Sequence, residues 1–196
     1  MKQQFHPFNN LPSLSQLFQA RTSKLPMLIN NLKLKDVEED EEFEKTKQRI
    51  KDAVLLTPIV FEEPQFIDHE YEERQPRLEQ QIFSTFNKDI YIHEIRYNFT
   101  GSVELFGHTF DGMSYSTSDH GLIKPESSNY VTVYAELPTL SPDGAINLAG
   151  SLFRLSKYIA EHNSEATKVW NVSIKNHINA ELELKRDELF RVFKKK

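Results

Sequence analysis

Asp89-Ile90-Tyr91-Ile92-His93-Glu94-Ile95-Arg96-Tyr97-Asn98-Phe99 is the stretch that decides the fold class. Ile90, Ile92, Glu94 and Arg96 fall on one parity, and Tyr91, His93, Ile95 and Tyr97 on the other. That period of two belongs to a strand whose faces meet different surroundings. Upstream, Leu78, Gln80, Ile82 and Ser84 alternate more weakly against Glu79, Gln81 and Phe83. Phe86-Asn87-Lys88-Asp89 supplies a turn between the two segments, so together they predict neighbouring strands of an antiparallel sheet.

Working toward the C-terminus, Gly101 to Lys124 holds four of the six glycines among Ser, Thr and Asp, and reads as loop with at most one short strand. Tyr130 to Leu137 is β-branched and aromatic, a strand that ends at Pro138. Ser141-Pro142-Asp143 then offers a capping side chain and a first-turn proline, and the chain reads as helical from there on. Leu148, Leu152, Leu155 and Ile159 form one apolar face; Trp170, Ile174, Ile178 and Leu182 form a second beyond Asn163-Ser164. A helical pair and one long kinked helix both satisfy this pattern. The pair is preferred, because an uninterrupted rod would leave much of its apolar stripe without a partner.

Working toward the N-terminus, Thr57 to Phe61 reads as a short strand, and Glu62 to Pro76 as an irregular acidic connection marked by Pro64 and Pro76. Asp36 to Leu56 lacks Gly and Pro and carries a sparse stripe of Val37, Phe43, Ile50, Val54 and Leu55, which predicts a helix. Its acidic start suits the helix macrodipole; the alternative reading is a surface for a basic partner. Ser13 to Phe18 predicts a short helix after Pro12, and Leu25 to Leu34 a helical segment broken near Pro26. The expected fold is therefore α+β in a single domain, 1–196. It consists of a helical N-terminal part (1–56), a small, mainly antiparallel sheet part (57–140) and C-terminal helices (141–196).

The totals exclude several function classes. A chain of 196 residues buries roughly 70% of its unfolded surface, enough for a real core. Cysteine is absent, which rules out disulfides, thiolate metal sites and cysteine nucleophiles. A net charge of -5 argues against a surface devoted to nucleic-acid phosphates as a whole. The first 18 residues lack a signal-peptide core and no stretch has the apolar length of a membrane span, so the expectation is a cytoplasmic protein with no membrane partner. The glycosylation triplets at Asn98 and Asn171 then read as chance matches.

No chemical motif survives its spacing test. Gly101, Gly107, Gly112 and Gly121 lack the order of a phosphate loop, and the seven histidines include no His-Glu-x-x-His pattern. Ser118-Asp119-His120 has the letters of a hydrolase triad, but adjacent residues cannot address one another in the required order. Asp68-His69-Glu70 reads as loop charge rather than a cation site. Glu183-Leu184-Lys185 has the letters of a nuclease strand but falls in the helical C-terminus. No cofactor, no metal and no catalytic residue are expected. The alternative is a metal-assisted hydrolase drawing on Asp68, His69, Asp119 and His120.

Lys175, Lys185, Arg186 and Arg191 with Lys194 to Lys196 make the last helix basic on its polar side. Dipole compensation near a helix C-terminus accounts for them; the alternative is a contact with nucleic acid or an acidic protein, with Trp170 and His177 as stacking groups. Trp170 at helical spacing from Ile174 otherwise reads as core.

Phe99-Thr100-Gly101-x-x-Glu104-Leu105-Phe106, then Val131-Thr132-Val133-Tyr134, then Trp170-Asn171 and Lys185-Arg186, occur in that order. Over about the last half of the chain this resembles a poorly characterised region of bacterial anti-phage and restriction-associated proteins, which lies upstream of TIR or endonuclease-like effector domains. The resemblance implies a sensor or scaffold rather than a catalytic part. It implies that Gly101 lets the strand end in a sharp turn, that Glu104 caps or contacts, and that Asn171 and Arg186 pin the helices to the sheet. Here Gly107-His108-Thr109-Phe110 stands where those proteins favour a proline-containing turn, and the chain ends at Lys196 where they run on into an effector.

The expected function is a non-catalytic interaction or sensor subunit of a bacterial defence-type assembly that meets a separately encoded effector protein. Gly101, Glu104, Phe106, Trp170, Asn171, Lys175, Lys185 and Arg186 are the candidate binding residues, and the aromatic-rich sheet and the basic last helix the candidate contact faces. Nucleic acid is the alternative partner, through the basic C-terminal helix, and self-association is left open.

Overall fold

The computed structural model describes residues 3–7, 11–74, 88–110, 113 and 121–193. Among these, the elements run α1 (Leu14–Thr22), α2 (Leu25–Asn30), α3 (Asp40–Val54), β1 (Val60–Phe61), β2 (Gln65–Arg74), β3 (Lys88–Thr100), β4 (Tyr130–Leu137) and α4 (Pro142–Phe193). Short 3-10 turns occupy Leu34–Asp36 and Val103–Gly107. The fold is α+β: N-terminal helices, a small antiparallel sheet and a long last helix.

The alternating stretch forms the central strand, β3. On one edge it pairs antiparallel with β4, from Tyr91↔Leu137 to Asn98↔Tyr130. Its other edge takes β1 at Phe61↔Phe99 and then β2 from Gln65↔Arg96 to Arg74↔Lys88. The parity of Ile95, Tyr97 and Phe99 is buried together with Val131, Val133 and Ala135, against Ala145, Ala149 and Phe153 of α4. On the opposite parity Glu94, Arg96 and Asn98 stay half-buried, so the pattern does divide a core face from a wetter one.

Two expectations are corrected. The acidic connection assigned to Glu62 to Pro76 contains β2, a ten-residue strand with a register shift between Phe66 and Asp68. Its Asp and Glu are poor strand formers and the bulge breaks the period, but cross-strand pairing to β3 overrides local preference. The preferred helical pair is one helix: α4 runs through Asn163-Ser164 without a break for 52 residues, about 78 Å at 1.5 Å per residue. The weaker strand read at Leu78 to Ser84, the turn at Phe86-Asn87 and the Ser118-Asp119-His120 trio lie outside the described residues.

An uninterrupted rod is possible because it has a different partner at each end. Its first half lies on the sheet core. Its second half, through Ile174, Ile178 and Leu182, lies in a separate core with Leu25, Ile29, Phe43, Ile50 and Val54 of α2 and α3. Trp170 packs against both cores and stacks on Phe18 of α1 at 4.6 Å between ring centroids.

The face of the first half is turned about one residue from the expected one. Ala145, Ala149, Phe153, Ser156, Ala160, Asn163, Ser164 and Thr167 are buried, whereas of the expected face Ile159 is buried and Leu148, Leu152 and Leu155 are half-buried. Small residues bring the helix close enough for its polar side chains to reach irregular backbone. Ser156 Oγ accepts from Ile123 N at 2.8 Å, and Ser164 Oγ from Ile59 N at 2.8 Å. Asn163 Nδ2 donates to Leu105 O and His108 O, each at 2.8 Å, and Asn171 Nδ2 to Leu56 O at 2.7 Å. Backbone groups that no ladder serves are thereby satisfied inside the protein.

A candidate interaction face at the end of the sheet

Cross-strand register puts His69 opposite His93 and Tyr71 opposite Tyr91, on the face that continues from Ile95 and Tyr97. α4 starts above His93, where Ser141 N donates to His93 Nε2 at 3.3 Å, and runs away over Tyr97, which its own Phe153 meets at 4.7 Å between ring centroids. The end of the sheet beyond that point carries no described helix. Its rings form a continuous ladder: Phe66 to His69 at 6.4 Å, His69 to Tyr91 at 6.2 Å, Tyr91 to Tyr71 at 5.5 Å and His69 to His93 at 6.3 Å.

Exposure differs from ring to ring. His93 is wholly buried, Phe66 and Tyr91 are half-buried, His69 is exposed and Tyr71 keeps 55% of its surface accessible. Tyr71 Oη donates to Asp89 Oδ1 at 2.8 Å across the strands, which fixes its ring. Leu140, in the turn leading to α4, is 51% exposed beside this end of the sheet. Rigid rings with apolar faces and polar tips can be covered at little conformational cost, and such residues dominate binding energy at protein interfaces.

A second ring cluster lies along α4, where Phe110 meets His162 at 3.8 Å and Tyr158 at 6.1 Å. Beside it a cleft of about 530 Å³ opens between β1 and α4, with Lys157, Glu161 and Glu165 among its walls. Among the described residues no three His, Asp or Glu side chains come together closely enough to hold a metal ion, and Asp68, His69 and Glu70 alternate along a strand. Asp119 and His120 lie outside the described residues. No helix among the described residues is long and apolar enough to cross a membrane.

The eight residues singled out from the sequence do not gather in one place. Gly101 ends β3 at φ +117°, and a Cβ there would sit 2.5 Å from Pro58 O, so glycine is required. Glu104 pairs with Arg21, joining the turn after β3 to α1. Phe106 is core, packed on Phe99 at 5.0 Å. Trp170 sits at the junction of the two cores, and Asn171 holds the backbone at Leu56, just ahead of β1. Lys185 pairs with Glu188 at 2.8 Å within α4. Arg186 reaches Asp40 at 2.6 Å and lies over Phe43 at 4.5 Å, so it ties α4 to α3 rather than to the sheet. Lys175 is exposed, whereas Lys185 and Arg186 are half-buried.

No family model, curated protein or solved structure matches this chain. The ring ladder was missed because each member, taken alone, is an ordinary strand residue. One signal was available: Tyr91 and His93 place rings on the same parity as Ile95 and Tyr97.

Proposed function

We propose that the chain is a non-catalytic interaction subunit that holds a protein partner against the ring ladder of its sheet. The observation that supports this most is the run Phe66, His69, Tyr91 and Tyr71, ring against ring and with His69 and Tyr71 exposed, on a sheet end that no described helix covers. The motif resemblance favours a defence effector as that partner. The basic-helix reading receives less support, because Lys185 and Arg186 already serve Glu188, Asp40 and Phe43 inside the protein. Their guanidinium and ammonium groups would have to leave those partners before meeting phosphate.

The test is to place a photo-crosslinking amino acid at Tyr71, purify the native complex from cells and map the crosslinked peptides. One protein partner joined at position 71 is the expected result. Tyr71→Ala should then weaken that complex by about 30-fold, the effect of removing an aromatic anchor worth about 2 kcal/mol. A partner retained at full affinity by Tyr71→Ala, and crosslinked elsewhere, overturns the proposal. A complex with nucleic acid that dissolves steeply with added salt would favour the alternative.

A further inference from the structure

The start of α4 has an irregular cap. Ser141 is the capping residue: its Oγ accepts from Gly144 N at 3.2 Å. In the reciprocal arrangement common at helix starts, the side chain three residues on returns an acceptor to the N–H of the capping residue. Here that position is Gly144, which has no side chain, and a Cβ there would lie 2.8 Å from Ser141 Oγ. The missing acceptor comes from another element: His93 Nε2 takes the Ser141 N–H at 3.3 Å.

That contact dictates the tautomer of a wholly buried imidazole. Nε2 accepts and so carries no proton; Nδ1 carries it, facing Tyr91 O at 3.1 Å and Ala135 O at 3.3 Å. A second proton could go only on Nε2. It would face the Ser141 N–H, remove its acceptor and set a cation against the positive end of a 52-residue helix. The groups around the ring offer no relief. β2 presents Phe66 and His69, itself able to become a cation; β3 presents Tyr91; β4 presents the Ala135 carbonyl. Asp143, in the first turn of α4, is the acidic group there, but it is exposed to water.

We propose that His93 is an acid-sensitive latch, which caps α4 in its neutral form and releases the helix start from the sheet when protonated. This rests on the reading that the ring ladder is the docking face, since His93 is the ladder's buried end and Tyr91 and His69 lie against it. The direction is set by the geometry: Nε2 must be unprotonated to accept the Ser141 N–H, so the cap is intact while the ring is neutral and is lost when acid adds the second proton. Acidification would therefore loosen the floor of the docking face together with the turn at Leu140.

The test needs no partner. Nitrogen chemical shifts of the His93 ring should show a proton on Nδ1 at neutral pH. The amide-exchange protection of Ser141 and Gly144 in the full chain should fall about tenfold between about pH 7.5 and about pH 5, after correction for intrinsic exchange. In His93→Gln the protection at Ser141 should be insensitive to pH over that range. A proton on Nε2 at neutral pH, or protection in the unaltered chain that stays flat, overturns the latch and leaves the docking face standing. Conversely, a Tyr71→Ala chain that keeps its partner would sink the docking face without touching the exchange result.

Discussion

The two halves of α4 are one helix bound in two ways. From Ala145 to Thr167 the buried positions are mostly small or polar, and the helix holds its neighbours by giving and taking hydrogen bonds with irregular backbone. From Ile174 to Leu182 they are aliphatic, and the helix packs on α2 and α3 through apolar side chains, with the Lys47–Glu183 and Arg186–Asp40 ion pairs at the edge of that contact. The difference teaches that the sheet end depends on directional contacts at fixed positions, whereas the helical end depends on apolar side chains that fill the same volume.

Substitutions at the two ends should separate these modes. Ile178→Ala removes a wholly buried side chain from the aliphatic half and should cost about 2–5 kcal/mol in denaturant unfolding. Ile178→Leu should recover most of that loss. Asn163→Ala leaves the carbonyls of Leu105 and His108 without their donor and should cost about 1–3 kcal/mol, with Asn163→Leu no better despite its apolar bulk. An Asn163→Leu chain as stable as the parent would erase the distinction between the halves.

The smallest effect at neutral pH belongs to Tyr97, between the sheet and Phe153. Burial pushes its phenol up to about 12, because the anion would lose its water there. The unfolded chain ionises first, so the folded state should lose stability as pH rises from about 10 through about 12. Tyr97→Phe should flatten that part of the stability profile and remove the last step of the tyrosinate absorbance titration. A phenol that titrates with the exposed tyrosines would mean the sheet end is open to water.

Much of the fold was legible because local signals and tertiary contacts agree. The strand read from Tyr130 to Leu137 has those bounds, and Ser13 caps α1 reciprocally with Gln16. The stripe Phe43, Ile50 and Val54 of α3 is buried. What stayed hidden is non-local. Asn163-Ser164 has the composition of a break, and only the remote backbone at Leu105, His108 and Ile59 shows why those residues sit inside a helix. β2 is written in acidic residues, and only β3 makes it a strand. Of the candidate contact faces, the aromatic sheet could be named from its residue types, but not which end α4 leaves bare, since that depends on where Ser141 meets His93.

Because α4 passes through both cores, the sheet and the N-terminal helices share an axle instead of a tether. Neither can swivel against the other unless that axle bends or unwinds. The residues that seat its far end, Ile174, Ile178 and Leu182, lie several turns from the strands.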